Sequence, residues 1–147
     1  MKIAYLCDIS PEHTQPYSGG NARIYRALQD HVGVVDILPQ SWGAAEPARR
    51  AIYALPDGIN LRLRWRLHLL LSHITSRSVT QALAAKKYDV IFGAYSFQSM
   101  ARLKTPYPML KAFTADASFT VYKQSEIGAS FGSSWLSRRL LDPLTFR

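Results

Sequence analysis

The first forty residues carry two short apolar runs, separated by a glycine-bearing loop and an amphipathic segment. The runs at 2–8 and 34–38 predict buried strands, because both are short and rich in apolar residues. Between them, Ile24, Leu28 and Val32 recur at every fourth position, which places them on one face of a helix. Strand, loop, helix and strand in this order form the opening unit of a doubly wound α/β sheet. This order restricts the fold more than any other feature of the chain.

Two consecutive glycines, Gly19 and Gly20, stand where that helix begins. A helix N-terminus presents unpaired N–H groups and a partial positive charge, which suit a phosphate or a carboxylate. Glycines there lack the Cβ atoms that would hold a ligand away from the backbone. The same pair also serves a tight turn into the helix, so both interpretations stay open. The loop lacks the glycine patterns of dinucleotide and Walker-type sites, so neither is predicted.

The composition is that of one globular domain. The chain has 147 residues, of which 48% are hydrophobic and 19% charged. The apolar run 67–71 is too short to span a bilayer, and the chain begins directly on a strand pattern, so we expect no signal or transit peptide. Cys7 is the single cysteine and falls inside the first predicted strand, where it is expected to be a small buried apolar residue. These features predict a cytoplasmic protein.

The positive charge is concentrated in the later part of the chain. Residues 1–40 carry a net charge of −1, and residues 41–147 carry +9. This asymmetry indicates an anionic partner, which could be a phosphate-bearing substrate, an anionic lipid surface or a nucleic acid. It would equally serve solubility or an acidic partner domain. Charge alone does not choose among them.

The stretch from Asn60 to Lys87 contains neither proline nor glycine, which predicts one long helix. Its apolar side is predicted to carry Leu63, Leu67, Leu70 and Ile74. A neighbouring basic stripe holds Arg62, Arg66, His73 and Arg77. Such a stripe is ordinarily a solvated face, but a basic amphipathic helix can also lie against an anionic membrane. Both interpretations stay open.

Three further elements complete a predicted α/β order. We predict strands at 88–93 and 109–114, and a helix at 94–103 with Ser96 as its N-cap. The region 41–58 is predicted to hold a short helical piece with Pro47 in its first turn. Segment 125–134 is predicted to be a loop, and segment 135–141 is predicted to be a helix.

Because open parallel sheets bind ligands beyond the carboxyl ends of their strands, the residues that follow those ends should gather at one edge. These residues are Asp8, Gly19, Gly20, Ser96 and Asp116.

Asp116 is the most informative of these side chains. It could accept hydrogen bonds from sugar hydroxyls or stabilise positive charge that develops in a transition state. It could also act as a helix N-cap, and both roles are compatible. The histidines have no metal-ligand spacing, and no order of Ser, His and Asp indicates a nucleophilic triad. We therefore predict neither a metal site nor a cofactor.

Several loose motifs occur in an order that resembles a known family. The motifs lie at 1–8, 17–20, 35–39, 88–92, 101–108 and 114–119. Together they resemble the amino-terminal domain of GT-B glycosyltransferases of the retaining, family-4 type. In that family two Rossmann-like domains face each other across a cleft, and the amino-terminal one mainly holds the acceptor. The resemblance implies an α/β, Rossmann-like, doubly wound and mostly parallel sheet flanked by helices.

The resemblance also implies roles for particular residues. The loop of Ser18, Gly19 and Gly20 would close over the donor diphosphate. Asp116 would be the catalytic residue, at a position where the family often carries a histidine. The acceptor would be contacted by Tyr17, Asn21 and Ser96. An anionic membrane surface would be contacted by Arg62, Arg66 and Arg77.

The implied activity is transfer of a hexose from a UDP-, GDP- or ADP-sugar to a sugar, lipid-linked or other small acceptor, with retention of configuration and without a metal or cofactor. The family's carboxyl-terminal nucleotide-sugar domain has no counterpart in residues 1–147. We therefore expect an incomplete amino-terminal domain, inactive alone, in the cytoplasm or at the inner face of the membrane. The alternatives are a non-catalytic module for a phosphorylated ligand, and a basic interaction domain for membrane or nucleic acid. The chain carries no nucleic-acid-binding motif, so a nucleic-acid partner is not predicted.

Overall fold

A computed structural model gives the fold of most of the chain. It describes residues 1–13, 19–38, 40–56, 58–60, 63, 67–94, 96–100, 102–114 and 139. Within these residues four strands form one sheet in the order β2-β1-β3-β4, and every neighbouring pair is parallel. The strands are β1 (Lys2–Cys7), β2 (Val34–Leu38), β3 (Val90–Ala94) and β4 (Leu110–Thr114). The prediction of a Rossmann-like α/β sheet is confirmed at this level.

The first helix, α1 (Gly20–His31), covers one face of the sheet. Side chains of β1 alternate between the two faces, and Ile3, Tyr5 and Cys7 are those that form a core with α1. Helix α1 contributes Ile24 and Leu28 to this core. The predicted apolar face is therefore confirmed for its first two members.

Val32 departs from the predicted α1 stripe. It is the residue that follows the helix, and its side chain is 39% exposed. Its N–H and that of Gly33 both donate to the carbonyl of Leu28, which closes the last turn. A Cβ on Gly33 would lie 2.3 Å from the carbonyl oxygen of Met1, so only glycine allows the chain to pass so close to the start of β1. The helical period thus ends before Val32, and the prediction for this residue was wrong.

One helix packs on the opposite face, and a shorter helix precedes it in the chain. Helix α2 (Glu46–Tyr53) follows a 3-10 turn at Gly43–Ala45, and helix α3 (His68–Ala85) leads back to β3. Pro47 occupies the first turn of α2, as predicted. Val79 and Leu83 of α3 are fully buried against the face of the sheet that carries Ala4, Leu6 and Ile91. Helices therefore lie on both faces, which is the doubly wound arrangement.

Helix α3 is shorter than predicted, and it buries a different side. It ends at Ala85, because Lys86 is already extended with φ −148° and ψ 137°. Of the predicted apolar side, Leu70 is 55% exposed, whereas Leu63, Leu67 and Ile74 are half-buried. The buried side consists of Leu71, Ser72, Thr75, Ser76, Val79 and Leu83.

The hydroxyl groups explain this difference. Thr75 donates to the carbonyl of Leu71 at 2.7 Å, and Ser76 donates to the carbonyl of Ser99 at 2.8 Å. A buried hydroxyl with a backbone acceptor costs little, so small polar residues can face the interior here. Hydrophobic periodicity gave no weight to serine and threonine, and it therefore selected the wrong side of α3.

The other differences are small. Strand β3 begins at Val90, two residues later than predicted, and the predicted helix at 94–103 is a single turn, α4 (Phe97–Met100). The predicted loop at 125–134 lies outside the described residues, as does most of the predicted helix at 135–141. No helix in the described ranges is long and apolar enough to cross a membrane.

Candidate functional site

A small crevice lies at the carboxyl edge of the sheet. The pairing of Cys7 with Ala94 and of Leu6 with Leu38 sets this edge, so Asp8 and Gln40 emerge on the same side just beyond it. We call the space between these ends and the helices the edge crevice. It is lined by Asp8, Gln40, Trp42, Arg49, Tyr53, Leu71, Thr75 and Ser99. Its volume of about 30 Å³ holds one or two water molecules or hydroxyl groups.

Arg49 is held in a defined position on one wall. Its guanidinium lies 2.5 Å from the carboxylate of Glu46, one turn earlier on α2, and 5.4 Å from the centre of the Tyr53 ring. The hydrogen bond to Glu46 raises the pKa of Arg49, and the same bond lowers the pKa of Glu46. Both contacts limit the rotamers of a long side chain. The crevice therefore has a fixed cationic donor.

The segment that carries Trp42 is tied to α3. The backbone N–H of Ser41 donates to the hydroxyl of Ser78 at 3.4 Å, and the N–H of Gly43 donates to the hydroxyl of Ser41 at 3.0 Å. Trp42 lies between these bonds, and its side chain is buried. The indole thus provides a positioned apolar wall beside the polar groups.

Two residues of the lining, Gln40 and Ser99, each carry a polar atom that has no hydrogen-bond partner among the described residues. These atoms are Nε2 of Gln40 and Oγ of Ser99, and both are buried. Ser99 is only 1% exposed. Leaving a buried polar group unpaired costs about 1–3 kcal/mol, so such atoms are rare unless something else satisfies them. Oγ1 of Thr114, at the end of β4, is a third such atom at the same edge of the sheet. These residues at the carboxyl edge therefore carry hydrogen-bonding capacity that no described residue uses.

The glycine loop reaches α1 from the same side of the sheet. Gly19 is the N-cap of α1 and has φ 76°, a left-handed conformation that favours glycine. In the described part of the loop, no side chain caps the first turn of α1. The N–H groups that begin at Gly20 are therefore available to an anion. Ser18 and Tyr17 lie outside the described residues.

Asn21 is buried, and its amide is fully engaged. Oδ1 accepts a 2.6 Å hydrogen bond from the hydroxyl of Tyr5, and Nδ2 donates to the carbonyl of Ile9 at 2.8 Å. These bonds join the core, the loop after β1 and the first turn of α1. The contact of Asn21 with substrate stays a prediction, and the observed role of this side chain is to brace the loop.

Ser96 follows β3 at the same edge. It is fully buried, and its hydroxyl donates to the carbonyl of Ala94 at 3.1 Å. Its carbonyl accepts from the N–H of Ser99, so it shapes the turn into α4. Arg77 is exposed on α3. Asp116, Arg62 and Arg66 lie outside the described residues, so their predicted roles stay predictions.

The comparisons with known proteins return nothing. No protein-family model, no curated protein and no solved structure matches this chain. The likeness to glycosyltransferases therefore depends on the sequence motifs alone.

Sequence reasoning missed most of the edge crevice. Of its lining, only Asp8 was among the residues predicted to gather at this edge. The spacing of Glu46, Arg49 and Tyr53 on a short helix that begins with proline was a usable signal, since residues three and four apart share a helix face. Nothing in the local sequence marks Gln40 or Ser99, because their importance comes from unpaired atoms in the folded chain.

Proposed function

We propose that this chain is the acceptor-side domain of a retaining glycosyltransferase and that the edge crevice receives a hydroxyl group of the acceptor. The observation that carries the proposal is a crevice at the carboxyl edge of a parallel sheet whose lining includes Gln40 and Ser99, two residues with polar atoms that no described residue satisfies. Open α/β sheets bind ligands at this edge. Such a sheet is compatible with many activities, and the order of the sequence motifs is what favours glycosyl transfer among them.

The chemistry of the lining suits a sugar hydroxyl. A hydroxyl both donates and accepts a hydrogen bond. Asp8 offers acceptor oxygens, while Gln40 Nε2 and the Arg49 guanidinium offer donors. Trp42 and Tyr53 add aromatic surface, against which the apolar face of a sugar ring can pack. Because the crevice admits only one or two hydroxyl groups, the rest of the acceptor would lie outside its mouth.

The donor would approach from the glycine loop. In this proposal the loop of Ser18, Gly19 and Gly20 faces the diphosphate of the nucleotide sugar, and Asp116 lies near the reacting carbon. The left-handed Gly19 and the uncapped first turn of α1, among the described residues, support an anion there. Transfer forms a bond between the anomeric carbon and the acceptor oxygen and releases the nucleoside diphosphate. A carboxyl-terminal nucleotide-sugar domain would hold the rest of the donor. The enzyme would act in the cytoplasm or at the inner face of the membrane.

The proposal is tested on the native polypeptide that contains this sequence. An antibody raised against the 147-residue chain captures that polypeptide from a source-cell extract, and its mass is measured first. The captured protein is then incubated with UDP-, GDP- and ADP-hexoses and an extract of cellular acceptors. We expect release of one nucleoside diphosphate and a hexose-bearing product with the anomeric configuration of the donor. If the captured protein is folded and the nucleotide sugar remains intact in every reaction, the proposal is contradicted.

A further inference from the structure

A second concave surface lies on the outer side of α3, away from the edge crevice. We call it the basic groove. It has a volume of about 660 Å³ between α3 and the segment that follows α4. Its charged residues are Arg77 on α3 and, on that segment, Arg102 and Lys104. His73 lies one turn before Arg77 on the same side.

No carboxylate lines this groove in the described part of the chain. The described acids that form ion pairs do so elsewhere: Asp36 pairs with Lys86, and Glu46 pairs with Arg49. Arg77, Arg102 and Lys104 are all exposed, and among the described residues none of them takes part in an ion pair. Three positive charges thus face one concavity, and no described residue neutralises them, which favours a positive potential there.

The walls of the groove are held together by hydrogen bonds. The hydroxyl of Thr80, on α3, lies 3.0 Å from the carbonyl oxygen of Lys104 and 2.9 Å from that of Ser76, so its one proton is shared between the segment and the helix. The amine of Lys111 donates to the carbonyl of Leu103 at 3.1 Å and fixes the same segment to β4. These bonds hold the backbone that carries Arg102 and Lys104 beside α3, which carries Arg77.

The groove and the edge crevice share no lining residue. The hydroxyl of Ser76, a residue of the groove, donates to the carbonyl of Ser99, a residue of the crevice. A ligand in the groove would therefore leave the proposed acceptor site open. Binding in the groove does not depend on whether the chain takes part in glycosyl transfer.

We propose that the basic groove binds a small soluble ligand with at least two negative phosphate charges, such as a diphosphate. Its volume falls within the range of about 300–1,000 Å³ that is usual for small-molecule sites. Arginine and lysine are the usual protein ligands of phosphate oxygens. A bilayer would be contacted by a convex or flat face with apolar side chains that insert, whereas this surface is concave and has no large exposed apolar residue among its described lining.

The test uses inorganic pyrophosphate as the probe and titration calorimetry of the 147-residue chain at physiological salt. The test variant is Arg77→Gln/Lys104→Gln, which removes two charges from the groove. The matched control is Arg26→Gln/Lys87→Gln, which removes one arginine and one lysine that are exposed elsewhere. We expect the groove variant to weaken pyrophosphate binding about tenfold, because it removes two charges that would contact the phosphate oxygens directly. The control variant should change the affinity less than about twofold.

Each other outcome counts against the proposal. Equal weakening by both variants would mean that only net charge matters, and absence of binding to the unmodified chain would remove the site. Vesicles with about one third anionic lipid serve as a second probe. If vesicle binding depended on Arg77 and Lys104 while pyrophosphate binding did not, the surface would be a membrane contact. Should the groove variant fail to fold, the backbone amides of 102–104 in the unmodified chain must shift with pyrophosphate, and unshifted amides would overturn the proposal.

Discussion

At the scale of single residues, the buried polar and titratable groups of this chain fall into two kinds. Some are engaged, as Asn21 is by Tyr5 and Ile9. Others are buried without a partner, as Ser99 and Ser72 are among the described residues. The first kind organises the loop after β1, and the second kind marks unused capacity. Only the folded structure separates them, since the same residue types occur in both.

Removal of the unpaired hydroxyl of Ser99 should separate binding from stability. We expect Ser99→Ala to leave the free energy of unfolding unchanged or slightly higher, because the hydroxyl makes no hydrogen bond with any described residue. In the proposed transferase, the apparent KM for the acceptor should rise about five- to tenfold, as for loss of one hydrogen bond.

Ser72 provides the matched control for this experiment. It is fully buried on α3, its hydroxyl also lacks a partner among the described residues, and it lies outside the lining of the edge crevice. Ser72→Ala should change neither the unfolding midpoint nor the KM for acceptor. An equal effect of the two variants on KM would mean that Ser99 does not contact the acceptor.

Cys7 gives a second prediction at this scale. Burial in the α1 core raises the pKa of its thiol to about 11, a hydrogen bond with Asn21 opposes the rise, and the negative charge of Asp8 adds to it. The thiol is therefore protonated at neutral pH and inaccessible to reagents. We expect alkylation by iodoacetamide at pH 8 to be at least about a hundredfold slower in the folded chain than in urea. Rapid alkylation of the folded chain would show that β1 is not buried as described.

At the scale of elements, α3 shows how far the sequence could be interpreted. The absence of proline and glycine correctly predicted a helix here. The positions of the leucines did not predict which side of that helix is buried. Leu83 is fully buried against the sheet, while Leu70 is 55% exposed. The side that faces the interior is decided by which hydroxyls find backbone acceptors and by the fit to Ala4, Leu6 and Ile91. Neither factor is present in a local sequence pattern.

A pair of substitutions tests this orientation of α3. We expect Leu83→Ala to lower the free energy of unfolding by about 2–5 kcal/mol, since it leaves a cavity in the core. Leu70→Ala should change it by less than about 0.5 kcal/mol, as for an exposed position. Urea denaturation followed by circular dichroism measures both values. Equal losses of unfolding free energy for the two variants would contradict the observed orientation and favour the face that hydrophobic periodicity predicted.

The ion pair between β2 and the residue that follows α3 gives the fold an acid dependence. The amine of Lys86 hydrogen-bonds the carboxylate of Asp36 and lowers the pKa of that carboxyl below its usual value. A carboxyl with a lowered folded pKa contributes stability that is present above the unfolded pKa of about 3.9 and is lost as the pH falls through the folded pKa. We therefore expect the urea midpoint to fall more steeply below pH 4 in the unmodified chain than in Asp36→Asn. Parallel curves would show that this pair does not couple protonation to folding.

At the scale of the whole molecule, the sequence predicted the architecture well and the site only in part. Parallel pairing and flanking helices follow from strands that alternate with helical periods, because each element must bury one face. The strand order comes from the structure and was not predicted. The carboxyl edge as the location of a site follows from the same topology. The walls of the edge crevice were not predictable, since Gln40, Arg49 and Ser99 come from three distant segments that meet only after folding. The roles assigned to Asp116, Ser18 and Tyr17 stay predictions.

The most direct test of the central claim is an NMR titration of the 15N-labelled chain with a panel of hexoses. The side-chain amide of Gln40, the indole N–H of Trp42 and the Nε–H of Arg49 each give a resolved type of signal within the edge crevice. We expect at least one hexose to shift all three signals saturably and together, because they line one space. Shifts that are absent for every sugar, or that are confined to the amino edge of the sheet around Gly33, would contradict the assignment of this crevice as the acceptor site.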